Sequence, residues 1–538
     1  MTNEKLRQVY AYHFDSKHRP ERYAPGPGGL DWATQPNPFR SFAGVPRLML
    51  PLLADGGDLP FSAVRAGERP PAAPLDIDHL GLLLERSLGL SAWKSYGDAR
   101  WALRCNPSSG NLHPTEAYLV SGGCPGLVGG VYHYQSHDHC LEQRAQDITL
   151  FAQAEAPGGV ILALTSVHWR EAWKYGLRAY RYCQHDVGHA LAAVAYAAAV
   201  LGWRVERLGW SDATLARILG VDRAPDFDPD EREAPDLALW VGPERPSREV
   251  VEALRRRPWS FSGTANRLSP GHLSWHGIEL VCQACERDAE QGVASVAETP
   301  LPSVIPRVCE QGAAALIRQR RSAVAFDGCT SMPFDAWVAM LDALLPRPGV
   351  PPLDAWGRSP RVNLLLFVHR VEAVPPGLYA LVRAPDSLGS LRESLRPDWS
   401  WALVEGVPTH LGLYRLVEGD AREAARALAC HQDIAGDGCF AVAMLAEFDA
   451  ALEEGAWCYR ELFWECGLLG QVLYLEAEAA GLRGTGIGCF FDDAVHHLLG
   501  IEDTRWQSLY HFTLGAPLED ARLQSEPPYA HREGGRLD

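Results

Sequence analysis

No apolar run in this 538-residue sequence is long enough to cross a bilayer. The most apolar stretch, Ala190 to Leu201, has the length of a buried helix. The first twenty residues contain His13, Asp15, Lys17, His18 and Arg19 and have no apolar centre, so they do not read as a secretory signal. Positive charge is also scarce. A formal net charge of −17 argues against general affinity for nucleic acid or anionic membrane, though not against a local basic pocket. The 13 cysteines are odd in number and scattered, which speaks against a disulfide framework. Cys282-Gln-Ala-Cys285 has no second pair or nearby histidines at zinc-site spacing, so no metal is expected and the two thiols read as structural, on one helix face. The expectation is a cytoplasmic protein with free thiols.

What is present is the composition of a globular protein, 47% hydrophobic and 22% charged, on a chain too long for one ordinary core. Residues 1–70 are rich in Pro and Gly and read as an extended arm. From His79 onward the pattern turns helical, with Leu80, Leu83 and Leu84 on one face. Strands are expected at 116–120, 131–134, 160–164 and 237–241, and a long helix from about Arg178 to Leu201, ended by Gly202. A first domain over 71–245, a linker over 246–275 and a second domain over 276–538 follow from this reading.

The second domain repeats the first. Gly188, Gly202 and Gly209 follow Tyr180-Arg181 at the intervals at which Gly467, Gly481 and Gly488 follow Tyr459-Arg460. Leu219-Gly-Val221 answers to Leu499-Gly-Ile501, and Gly130-Val-Tyr132 to Gly377-Leu-Tyr379. The chain therefore reads as two fused copies of one unit, an intrachain pseudo-dimer.

Several segments carry potential chemistry. Arg104-Cys-Asn-Pro-Ser-Ser-Gly-Asn-Leu-His-Pro114 is a turn-rich loop. Its amides, with Ser108, Ser109 and Asn111, suit a polar ligand edge. Lys174-Tyr-Gly-Leu-Arg-Ala-Tyr-Arg-Tyr182 sets three tyrosines and three cations before a buried helix, where a lysine can act as a base. Arg318-Gln-Arg-Arg-Ser322 is a natural phosphate clamp. Gly484-Thr-Gly-Ile-Gly488 lets a ligand approach the backbone, and Arg522 is a further candidate phosphate ligand. Taken singly, each segment also has an ordinary structural reading as a surface loop, a helix start or a solvated face.

Taken together, these residues resemble the nitroreductase superfamily, in particular its SagB/ThcOx-type, azoline-oxidising branch. The resemblance is tightest over Val167 to Asp222. It extends to Tyr12-His-Phe-Asp-Ser-Lys-His18, Leu30-Asp-Trp32, Pro38-Phe39 and Asn266-Arg-Leu-Ser269. It implies an α+β fold, each copy a mostly antiparallel sheet flanked by helices, with FMN between copies. It implies one FMN site per chain: Pro107, Ser108, Ser109 and Asn111 from the first copy, and Arg320, Arg321, Ser322, Gly486, Gly488 and Arg522 from the second. The reverse combination is poor, with only Ser359-Pro-Arg361 and Arg86-Ser87 in the corresponding places. Val324 stands where many members carry another basic residue. The branch also implies a catalytic pair, Lys174 and Tyr175, with Lys174 assisting proton removal as an azoline passes hydride to flavin. Three readings stay open at this stage: an azoline dehydrogenase acting on a modified peptide, an NAD(P)H-dependent nitro or quinone reductase acting on a small molecule, and a flavin-free scaffold or maturation partner.

Overall fold

The structure is a computed structural model and describes residues 2–53, 58–146, 158–290 and 301–532. Two antiparallel seven-stranded sheets dominate it. The first runs, edge to edge, Arg47–Met49, Cys140–Gln146, Gly130–Gln135, Thr115–Ser121, Val160–Ser166, Ala234–Gly242 and Arg204–Leu208. The second runs Ala402–Leu403, Leu413–Glu418, Gly377–Leu381, Val362–Val368, Phe440–Glu447, Trp506–Gly515 and Arg483–Ile487. The central strands have no polar face because helices or loops cover both sides. Val160–Ser166 and Val362–Val368 are buried at every residue, which is why they read as continuous apolar runs.

Two helices of 22 residues, Ala179–Val200 and Cys458–Ala479, lie between the sheets. The first is buried at all its positions, and its alanines let neighbouring backbones come close. The helices cross at Gly188 and Gly467. A Cβ on Gly188 would collide with the carbonyl oxygen of Trp464, and one on Gly467 with that of His185. Tyr180 and Tyr459, in the first turns of the two helices, stack with centroids 6.5 Å apart and planes within 4°. Gly188→Ala is therefore expected to cost about 3 kcal/mol, because a backbone carbonyl cannot swing aside as a side chain can. Calorimetry should show a clearly lowered melting temperature.

Two segments differ from the sequence expectation. The arm begins with a helix, Thr2–Asp15, rather than extended chain. Only a few of its positions face inward: Val9, Tyr12 and His13 are buried, and the Tyr12 hydroxyl donates to the Leu177 carbonyl at 2.7 Å. The stretch 246–275 packs against the first sheet. Its helix Arg248–Arg256 buries Val251 and Leu254 in the cluster that contains Trp240, and Thr264–Ala265 pairs with Phe42–Ala43.

A three-stranded sheet completes the frame around the site. Leu90–Tyr96 and Ala99–Arg104 form a hairpin in the first half, and Gln524–Glu526 from the end of the chain pairs with Leu90–Tyr96. Residues of both halves thus enclose the space in front of the turn-rich loop.

Candidate functional site

The loop that follows Ala99–Arg104 bounds a cavity of about 420 Å³. Pro107, Ser108, Ser109 and Asn111 line one side, and Arg320, Arg321, Ser322 and Gly486 line the other. Eight of the ten predicted cofactor contacts, drawn from segments more than 200 residues apart, thus meet in one space.

Gly110, Asn111 and His113 adopt left-handed backbone, with φ of 58°, 59° and 52°. Side chains hold this coil closed. Asn111 Nδ2 donates to the Ala102 carbonyl at 2.8 Å, its Oδ1 lies 2.9 Å from His113 Nε2, and the His113 amide donates to Ser108 Oγ at 2.8 Å. Asn111 therefore spends one donor and one acceptor on shaping the loop, and an amide has one more of each. The Ser109 amide and hydroxyl both donate to Asp186, at 3.1 and 3.3 Å.

The opposite wall is basic. Arg320 is buried, donates to the carbonyls of Cys105 and Arg104 at 3.3 and 3.2 Å, and lies 4.9 Å over the Tyr474 ring. Arg321 donates to the Ser91 and Arg318 carbonyls. Burial, with Arg320 adding to it, pushes the Arg321 guanidinium down to about 10. Among the described residues neither guanidinium has a carboxylate within ion-pair distance, so their charge is left for an anion. Ser322 Oγ and the Gly486 amide meet the Tyr474 hydroxyl at 2.8 and 3.1 Å. Lys94 of the hairpin also lines the cavity, and burial lowers its ammonium. His189, held down to about 3 by burial and by Arg320, is neutral there.

Two predicted contacts fall outside this lining. Arg522 pairs with Asp520 at 2.8 Å, lies 5.4 Å over Tyr96 and is largely exposed; a carboxylate of its own loop has taken the guanidinium. Gly488 turns its carbonyl to Arg178, which donates at 3.0 Å, and packs against Tyr182. Val324 lines the rim and is 84% exposed.

Lys174 and Tyr175 stand immediately behind the loop. A Cβ on Gly110 would lie 2.5 Å from the Tyr175 hydroxyl and 3.1 Å from Lys174 Nζ. Burial raises the Tyr175 phenol well above its usual range, so it remains a neutral donor. The predicted catalytic pair is thus separated from the cavity by one glycine. Sequence reasoning missed Lys94, Asp186 and Tyr474. Asp186 and His189, one turn apart in a helix buried at every position, were the available signal.

The pseudo-equivalent place in the other direction is lined differently. By the repeat spacing, Arg207 is the counterpart of Gly486. Its guanidinium lies 4.7 Å over Trp356 and pairs with Glu461, which Arg287 also engages. The void beside Trp356, Ser359 and Glu465 is about 10 Å³.

The Nitroreductase family model matches residues 412–516. No curated protein matches the chain. A solved structure from Anabaena variabilis, assigned as a nitroreductase, is 22% identical, with 95% of this chain and 99% of that chain covered and a TM-score of 0.67. The Escherichia coli microcin synthetase McbBCD complex with truncated pro-MccB17 gives 18% identity, 46% and 95% coverage and a TM-score of 0.27. An FMN complex from Exiguobacterium sibiricum, assigned as a nitroreductase, gives 13%, 38% and 88%, and 0.22. The last two scores are too low to support inference. No described helix is long and apolar enough to cross a membrane. Residues 412–516 are thus similar to the Nitroreductase family, within a two-sheet α+β fold shared, along nearly its whole length, with the Anabaena protein.

Proposed function

We propose that this protein is an FMN-dependent oxidoreductase with one composite site per chain, acting on azoline rings of a modified peptide. The observation that carries the reading is the unneutralised pair Arg320 and Arg321, facing the Pro107–Asn111 loop across a cavity of ligand size. Two guanidiniums without carboxylate partners fit a phosphate, and the loop opposite, with Trp101 and Leu103, fits a flat ring with polar edges.

In this reading Arg320, Arg321 and Ser322 hold the phosphate, and Pro107, Ser108, Ser109 and Asn111 border the ring with Gly486. FMN, when bound, supplies the hydride chemistry. Lys174 takes up the proton released from substrate carbon, and Tyr175 donates a hydrogen bond that orients the ring being oxidised. The two halves, 71–245 and 276–538, descend in this account from one duplicated unit, and Arg207 and Trp356 closed the second site. A tandem SagB-type dehydrogenase would also sit naturally beside partner enzymes that make the azoline. NAD(P)H is the natural hydride donor if the cavity serves reduction instead.

The test is anaerobic bleaching of the bound flavin. An azoline-containing peptide should bleach it and yield the aromatic azole. Bleaching by NAD(P)H alone, followed by reoxidation with a quinone or nitro compound, would replace this reading with that of a reductase. A protein that takes up no FMN would remove both.

A further inference from the structure

The end of the chain returns to the first half beside the cavity. Leu523 lines the cavity, and the strand that follows places Ser525 opposite Lys94. Beyond that strand the tail is held along its length. The Tyr529 hydroxyl accepts the Leu90 amide at 2.8 Å, Trp93 Nε1 donates to the Pro528 carbonyl at 2.9 Å, and Arg532 donates to the Leu50 carbonyl at 3.1 Å. His531 reaches the turn that joins Gly130–Gln135 to Cys140–Gln146. There it meets His137 and Asp138.

One donor atom from each of these side chains lies within 4.8 Å of the other two. His137 Nδ1 is 2.6 Å from Asp138 Oδ1, and His531 Nε2 is 4.0 Å from the same oxygen. The imidazole centroids are 4.4 Å apart. His531 Nε2 also lies 2.8 Å from the His137 carbonyl, which keeps that ring against the turn. Ligand atoms around a tetrahedral ion with bonds of about 2.1 Å stand about 3.4 Å apart, so both gaps to Asp138 are within about 1 Å of a coordinating arrangement. A His–Asp contact within one turn is ordinary surface chemistry. A second imidazole that converges on the same carboxylate oxygen from 394 positions further along is not, and no spacing rule could have paired the two.

The surroundings hold the rings in place. Phe39 lies 4.9 Å from His137, and Trp93 lies 5.8 Å from His137 and 6.1 Å from His531. The Asp138 amide donates to Gln135 Oε1 at 2.7 Å, which fixes the turn. The nearby guanidiniums have carboxylates of their own: Arg47 pairs with Glu142 at 2.8 Å and reaches the far oxygen of Asp138 only at 3.7 Å, and Arg100 pairs with Glu526 at 2.8 Å. Burial, with His137 adding to it, lowers the His531 imidazolium, so the ring is neutral at neutral pH, the form that coordinates a metal.

We propose that His137, Asp138 and His531 bind a divalent transition-metal ion of the zinc class, which fastens the end of the chain to the first half beside the cavity. Two imidazoles and one carboxylate without a thiolate suit a borderline ion, and not magnesium, which takes oxygen ligands in octahedral geometry. The side chains are 24–35% exposed, which leaves a fourth position for water. The ion's role is to tie two distant segments together, and the site does not depend on the proposed function.

The test is titration of the chelator-treated, full-length protein with Co²⁺, for wild type, Asp138→Asn and His531→Ala. Wild type should bind cobalt with weak visible d–d absorption and no sulfur charge-transfer band, which separates this site from the free thiols. Each variant should bind on the order of 100-fold more weakly, since even the outer-shell partners of a ligand contribute about 10- to 100-fold. Both substituted side chains are partly exposed, so without metal each variant should melt with wild type. Cobalt should slow amide hydrogen exchange in Gln524–Glu526 in wild type and leave it unchanged in His531→Ala. Cobalt bound through sulfur, or an affinity unchanged in either variant, overturns the site. Binding through these residues without slower exchange overturns the fastening of the chain end.

Discussion

Arg320→Ala is expected to raise the dissociation constant for FMN on the order of 100-fold and to yield a nearly colourless protein. A hydrogen bond to a charged group contributes about 1.5–3 kcal/mol, which is about ten- to a hundredfold in affinity. Arg320 should lie at the upper end. Its guanidinium is held by the Arg104 and Cys105 carbonyls and by the Tyr474 ring, so it is already in place before the ligand arrives. Arg320→Lys should recover little, because an ammonium cannot reproduce the planar fork. Arg522→Ala should leave affinity unchanged, since that guanidinium does not line the cavity and is taken by Asp520. Fluorescence titration with FMN separates the three variants.

Lys174→Ala is expected to keep flavin but to lower turnover about 10²- to 10⁴-fold, the range over which a positioned acid or base contributes. Tyr175→Phe should be milder, because it removes one hydroxyl and keeps the ring that meets Tyr182 at 4.7 Å. The separation from binding follows from position. Both side chains reach Gly110 from behind the loop, and neither borders the cavity where the phosphate and ring would lie. Gly110→Ala should reproduce the defect of the pair, since its Cβ would take the space of the Tyr175 hydroxyl and the left-handed φ of 58° disfavours any side chain. Single-turnover absorbance of the bound flavin reads the loss directly.

The central strands and the long helices were legible because their residues are buried almost throughout. Val160–Ser166 and Ala179–Val200 leave a strong apolar signal in one dimension. The opening helix was not legible, since Thr2–Asp15 fully buries only Val9, Tyr12 and His13, with Leu6 and Tyr10 half-buried, a narrow stripe at the head of a Pro- and Gly-rich stretch. The repeat was legible because helix crossing leaves no room for a Cβ at Gly188 or Gly467. Within the site, type and spacing pointed to the clamp and the loop. They did not reveal that Arg522 has a local carboxylate partner, that Asn111 braces its own loop, or that Asp186 turns toward the cavity. Those facts depend on which groups a side chain meets across the fold.

The crowding around Arg207 and Trp356 belongs to the same class. Nothing in Arg207 alone marks it as the residue that occupies the counterpart of the Gly486 position. Its stacking on Trp356 and its pairing with Glu461 do.

The most direct test of the composite-site account is the amount of FMN released from the purified, FMN-saturated chain. The account predicts about one flavin per chain, lost in Arg320→Ala and retained in Arg207→Ala. Two flavins per chain, or one that survives Arg320→Ala, would contradict it.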